Sequence, residues 1–116
     1  MVKRSLRIRL EDIVENIDGA TELTAGLSFA EYKGNFGVRK AIERCVEIVS
    51  EASRHIPDDI KETYPNAYWP EIRAIGNLLR HQYQRVDDLV MWRIATKYFP
   101  ELKIEVMAIL AELDSE

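Results

Sequence analysis

The chain holds one cysteine, two histidines, four prolines and five glycines among 116 residues. A single thiol, Cys45, excludes an internal disulfide and a cysteine metal cluster. Cys45 falls on the apolar face of a predicted helix, where it reads as a small buried hydrophobe. Neither His55 nor His81 has a second histidine or a cysteine at ligand spacing, so no zinc site is expected and no cofactor is implied. No Gly-rich phosphate loop and no Gly-x-Ser-x-Gly elbow occurs. No apolar run approaches the ~20 residues that span a bilayer. The N-terminus carries Lys3, Arg4, Arg7 and Arg9 and lacks the apolar stretch of a signal peptide. A cytoplasmic protein without a membrane part is the expectation. An excess of basic charge is missing as well. Sixteen lysines and arginines stand against twenty acids, for a net charge of −4. Any contact with RNA or DNA is therefore local, or built by pairing two chains.

A strong helical pattern is present. The hydrophobic fraction of 47% and the charged fraction of 31% describe one globular domain over residues 1–116. Leu6, Leu10, Ile13, Ile17 and Ala20 recur at helical spacing, and Gly26 closes this first helix. Ser28 is placed to cap the next segment. Val38, Ile42, Cys45, Val49, Ala52 and Ile56 predict a long second helix that stops at Pro57. A short helix spans Asp58 to Thr63, with a turn at Pro65-Asn66 after it. Pro70 suits the first turn of a third helix, with Ile72, Ile75, Leu79 and Val86 as its apolar edge. Asp87 or Asp88 caps a fourth helix bearing Leu89, Trp92, Ala95 and Phe99. Pro100 separates it from a last helix with Leu102, Val106, Ile109 and Leu113. The prediction is an all-α, four-helix bundle with an additional short helix.

The chemistry concentrates on the third helix. Steps of three and four place Arg73, Asn77, Arg80, His81 and Gln84 on one polar stripe, flanked by Tyr83. Histidine exchanges protons near neutral pH. Arginine holds a phosphate through two hydrogen bonds. Together they point to phosphodiester chemistry. A plain solvated helix face is the alternative, with Tyr83 as an aromatic at the core edge. Gly76 interrupts the stripe and permits close approach of a ligand or of another helix, a partner's helix in a dimer included. His55 ends the second helix, where a positive charge suits the helix dipole.

These residues resemble those of the HepT-like proteins of the HEPN superfamily. The resemblance runs through Leu10-Glu11-Asp12-Ile13, Arg44-x-x-Glu47-Ile48-x-x-Glu51-Ala52, Asn77-x-Leu79-x-His81-x-Tyr83, Val86-Asp87, Trp92 and Pro100-Glu101-Leu102. It implies an HEPN-type bundle that acts as the toxin of a toxin–antitoxin pair and cleaves RNA without a metal. His81 would be the general acid or base. The family's arginine normally precedes Asn77 directly, a position held here by Gly76. Two alternatives arise: Arg80 takes over the phosphate, or the chain is a silent binding module for RNA or for a nucleotidyltransferase. Asn77, Glu51 and Arg73 would support the site, with Glu51 orienting His81 or Arg80 or else serving as an ordinary surface glutamate. The resemblance further implies a homodimer or higher even oligomer with a composite active site. Its partner would be an MntA-like minimal nucleotidyltransferase antitoxin that silences the toxin by AMPylation of Tyr83.

Overall fold

The computed structural model describes residues 2–82 and 86–115. Tyr83 and Gln84, which the sequence places beside the stripe, lie outside the described residues. Among those described, every regular element is helical. Among the described residues, no helix is long and apolar enough to cross a membrane.

Helix α1 runs Val2–Thr24 and buries the expected stripe, Leu6, Leu10, Ile13, Ile17 and Ala20. Beyond its end Gly26 adopts φ +76°, the left-handed conformation that glycine takes without a Cβ penalty. A reciprocal capping box then opens α2 (Phe29–Lys33). Glu31 N–H donates to Ser28 Oγ, and Ser28 N–H donates to Glu31 Oε1 at 2.9 Å. Helix α3, Phe36–Ser53, is shorter than the helix predicted to run to Pro57. It starts where Asn35 accepts from Val38 N–H at 3.0 Å. It ends ahead of Pro57 because the residue before a proline is driven out of helical geometry; Ile56 stays buried in the turn beyond it. Cys45 is half-buried rather than fully enclosed, and burial pushes its thiol above the ordinary cysteine range.

Helix α4 (Asp58–Thr63) has the predicted limits, and Pro65–Ala67 form a 3₁₀ turn. Tyr68, at φ 60°, redirects the chain into α5 (Trp69–His81), with Pro70 in its first turn. Val86, expected on this helix, lies beyond its end and packs half-buried against the core. Asp87 caps α6 (Asp88–Arg93) by accepting from Leu89 N–H and Val90 N–H at 2.8 and 3.2 Å.

Pro100 does not separate the last two helices as predicted. A π-helical stretch, Ile94–Tyr98, runs directly into α7 (Phe99–Ser115). Pro100 has no N–H to donate, and its ring crowds the carbonyl four residues back. Widening the turn so that Phe99 N–H reaches Ile94 O carries the helix past that conflict.

Helices α1 and α3 form the central pair. Helix α5 packs on α3 and α7 on α1. Lys103 Nζ binds Asp18 Oδ1 at 2.7 Å, and Arg7 pairs with Asp114, both across the α1–α7 seam. The outer helices leave a groove of about 680 Å³ floored by Val46 and walled by Ile75, Leu78, Val90, Ile94 and Tyr98.

Candidate functional site

The site begins with the contact between α5 and α3. Gly76 is buried, and a Cβ on it would lie 1.8 Å from Ser50 Oγ and 2.4 Å from Ser50 Cβ. The close approach that the sequence assigned to a ligand or to a partner helix is therefore made by α3 of the same chain. The missing side chain also leaves space for Arg80 one turn on, whose Nη1 would lie 3.5 Å from such a Cβ.

Arg80 is accordingly held at the α3–α5 seam. Its Nη2 donates to Asn77 Oδ1, one turn back on the same helix. Its Nη1 lies 3.7 Å from Glu51 Oε2, is buried and makes no hydrogen bond. The other oxygen of Glu51 lies 3.6 Å from His55 Nε2, in the turn just past the end of α3. Arg80, Asn77 and Glu51, all singled out from the sequence, thus meet in one cluster. Glu51 faces Arg80 rather than standing alone on the surface. His55, read only as a helix-end charge, joins the cluster through Glu51. The signal was the i,i+4 spacing of Glu51 and His55, which places the two on one helix face.

His81 occupies the last position of α5 and is exposed. Among the described residues its imidazole has no hydrogen-bond or ion-pair partner, so it is open to an incoming group. The C-terminus of α5 is the negative end of the helix dipole, a place that suits a cation. Arg73 sits two turns back and also faces solvent. It stands near Lys61, whose ammonium is held below its ordinary value by burial first and by the charge of Arg73, against Asp58. The structure does not bring Arg73 to Arg80.

Past Glu51 a second hollow of about 300 Å³ opens between α1, α3 and α5. Arg9, Asp12, Arg44 and Glu47 line it together with Glu51 and Arg80. No sequence pattern announced this cleft. Arg44 and Glu47 were visible on the second helix, but Arg9 and Asp12 reach it only through the pairing of α1 with α3. Among the described residues, no three His, Cys, Asp or Glu side chains converge as metal ligands would.

The fold and the site define an all-helical bundle with an arginine fixed at a helix seam and a histidine exposed beside it. The chain belongs to the ribonuclease HepT-like family, whose model matches residues 13–109. It is 36% identical over 106 residues to "Putative RNase MJ1380" of Methanocaldococcus jannaschii, covering 91% of this chain and 97% of that protein. It is 34% identical over 116 residues to "Putative RNase MJ1216" of the same organism, covering 100% of this chain and 96% of the relative. "Probable ribonuclease HepT" of Thermococcus cleftensis is 35% identical over 102 residues, 88% of this chain and 93% of its own length. No solved structure matches the chain.

Proposed function

We propose that this chain is an endoribonuclease that cleaves RNA without a metal, with His81 and Arg80 as its catalytic residues. The observation that carries this reading is Arg80 held at the α3–α5 seam by Asn77 and Glu51, one position before an exposed His81 at the end of α5. An RNA 2′-hydroxyl attacks the adjacent phosphorus and the 5′-oxygen leaves, giving a cyclic phosphate and a new 5′-hydroxyl. Histidine takes the proton from the 2′-hydroxyl, and a second acid returns one to the leaving oxygen. Arg80 neutralises the charge that develops on the phosphoryl oxygens. One exposed histidine serves poorly as both base and acid. A homodimer that brings two His81 side chains into one cleft supplies both roles.

The same reading makes the chain the toxin of a toxin–antitoxin pair. An MntA-like nucleotidyltransferase would silence it by adding AMP to Tyr83, two residues past His81 in the sequence. The added phosphate would compete for Arg80 as the RNA phosphate does. The second reading, a silent module that binds RNA or the transferase, is favoured by Gly76. An arginine at that position would collide with Ser50, so the site depends on Arg80 alone for its guanidinium.

A cleavage assay on total RNA in excess chelator separates the two readings. The expected outcome is cleavage that survives EDTA and falls about 10²–10⁴-fold in His81→Ala. Intact RNA with the wild-type protein, or activity restored only by Mg²⁺ or Mn²⁺, contradicts the proposal. Co-expression with the candidate transferase and ATP, followed by intact mass and peptide mapping, is expected to place one AMP on Tyr83. An unmodified chain beside an active transferase contradicts that step.

A further inference from the structure

We infer that the cleft between α1, α3 and α5 is a base-recognition subsite that takes a guanine of single-stranded RNA. The inference rests on the ribonuclease reading for the identity of the polymer, and on the cleft alone for the base. Arg9, Arg44 and Arg80 line it together with Asp12, Glu47 and Glu51, three guanidiniums and three carboxylates. That balance disfavours a phosphate, which would meet three like charges along with its partners. A neutral ring that offers both donors and acceptors suits it.

The groups are not equally free. Arg44 Nη1 is bound to Glu47 Oε1 at 2.8 Å, and Glu51 lies between His55 and Arg80. Arg9 and Asp12 stand one turn apart on α1, both half-buried. Among the described residues their side chains pair neither with each other nor with any other group. An open guanidinium and an open carboxylate on one wall match guanine. Its O6 and N7 accept from the arginine fork. Its N1–H and amino group offer a carboxylate two parallel donors, one for each oxygen. Ile48 and Ala52 supply an apolar floor for the ring. The volume of about 300 Å³ is at the small end of ligand sites and fits a base better than a longer ligand. Arg80 joins this cleft to the site of the scissile phosphate, so the recognised base belongs to a nucleotide next to the cut.

The test is equilibrium binding of the full chain to oligouridine carrying one variable nucleotide. 2′-Deoxy sugars at every position of these strands remove each attacking hydroxyl. Guanine is expected to bind at least about tenfold more tightly than adenine, cytosine or uracil. Asp12→Asn and Arg9→Gln, each melting like the wild type, are expected to erase the preference for guanine. Equal affinity for the four bases, a preference that survives both substitutions, or no binding to any strand overturns the subsite. Cleavage of the ribonucleotide versions is read in parallel. Guanine preference in binding without cleavage upholds the subsite and overturns the ribonuclease reading. Cleavage indifferent to the base does the reverse.

Discussion

Gly76 decides more about this site than any charged residue does. Alanine at a helix-interior glycine ordinarily gains about 1 kcal/mol. Here its Cβ would meet Ser50 Oγ at 1.8 Å, on a serine with no exposed surface in a packed helix seam. Overpacking of that kind costs about 1–3 kcal/mol, so the clash outweighs the propensity. Gly76→Ala is expected to lower the melting temperature, and Ser50→Gly is expected to restore part of the loss in the double variant. Equal losses in the single and double variants, measured by thermal denaturation, would refute the contact. The same seam fixes Arg80. A guanidinium that reaches Asn77 with one nitrogen and presents another at a buried edge is a planar fork, which an ammonium does not reproduce. Arg80→Lys is therefore expected to lose cleavage nearly as fully as Arg80→Ala, at unchanged melting temperature. Near-wild-type kcat/KM in Arg80→Lys would reduce the role of Arg80 to simple charge.

At the scale of elements, two caps start the short helices α2 and α6, which pack on each other and on α3. The capping box at Ser28 starts α2, which carries Phe29 and Tyr32 against Trp92 of α6 with ring centroids 6.2 and 5.3 Å apart. Asp87 caps α6 from the other side of the α5–α6 connection. Ser28→Ala is expected to cost about 1 kcal/mol of stability, read as an earlier chemical-denaturation midpoint with an unchanged slope. A midpoint unmoved by the substitution would mean that α2 contributes nothing to the fold. The helices themselves were legible in the sequence because their signals are local: Ser28, Pro70 and Asp87 start elements, and Leu6 to Ala20 declare a buried face by spacing alone. Pro100 misled because its conflict is resolved by the backbone, through a π turn that no side-chain pattern announces. The stripe of Arg80, Asn77 and His81 was legible, since steps along one helix need no knowledge of the fold. The partner of Gly76 was not. Ser50 is 26 positions earlier and reaches Gly76 only once α3 and α5 are packed. Arg9 and Asp12 were hidden for the same reason.

The whole molecule sets limits that no single residue reveals. The groove beside α5 leaves Leu78, Val90 and Ile94 partly open along one side of the motif helix. That apolar side supports the proposed homodimer, now that Gly76 is accounted for within one chain. Light scattering at micromolar concentration is expected to give twice the chain mass of 13.5 kDa, and Leu78→Glu to give the monomer. A wild-type monomer would remove the composite active site. Charge supplies the last constraint. A chain of net charge −4 repels a polyanion at long range, so RNA binding has to come from a few close contacts. With single strands the logarithm of affinity falls against the logarithm of salt with a slope of about −0.7 for each phosphate neutralised. One Arg80 from each protomer gives two such contacts and a slope of about −1.4. A broad basic surface making six to ten contacts would give about −4 to −7. Binding of an uncleavable RNA measured across a salt series is expected to show the shallow dependence, and Arg80→Ala to flatten it further. A steep slope that persists in Arg80→Ala would mean that RNA lies on another face, and that the cluster of Arg80, Asn77 and Glu51 serves the bundle alone.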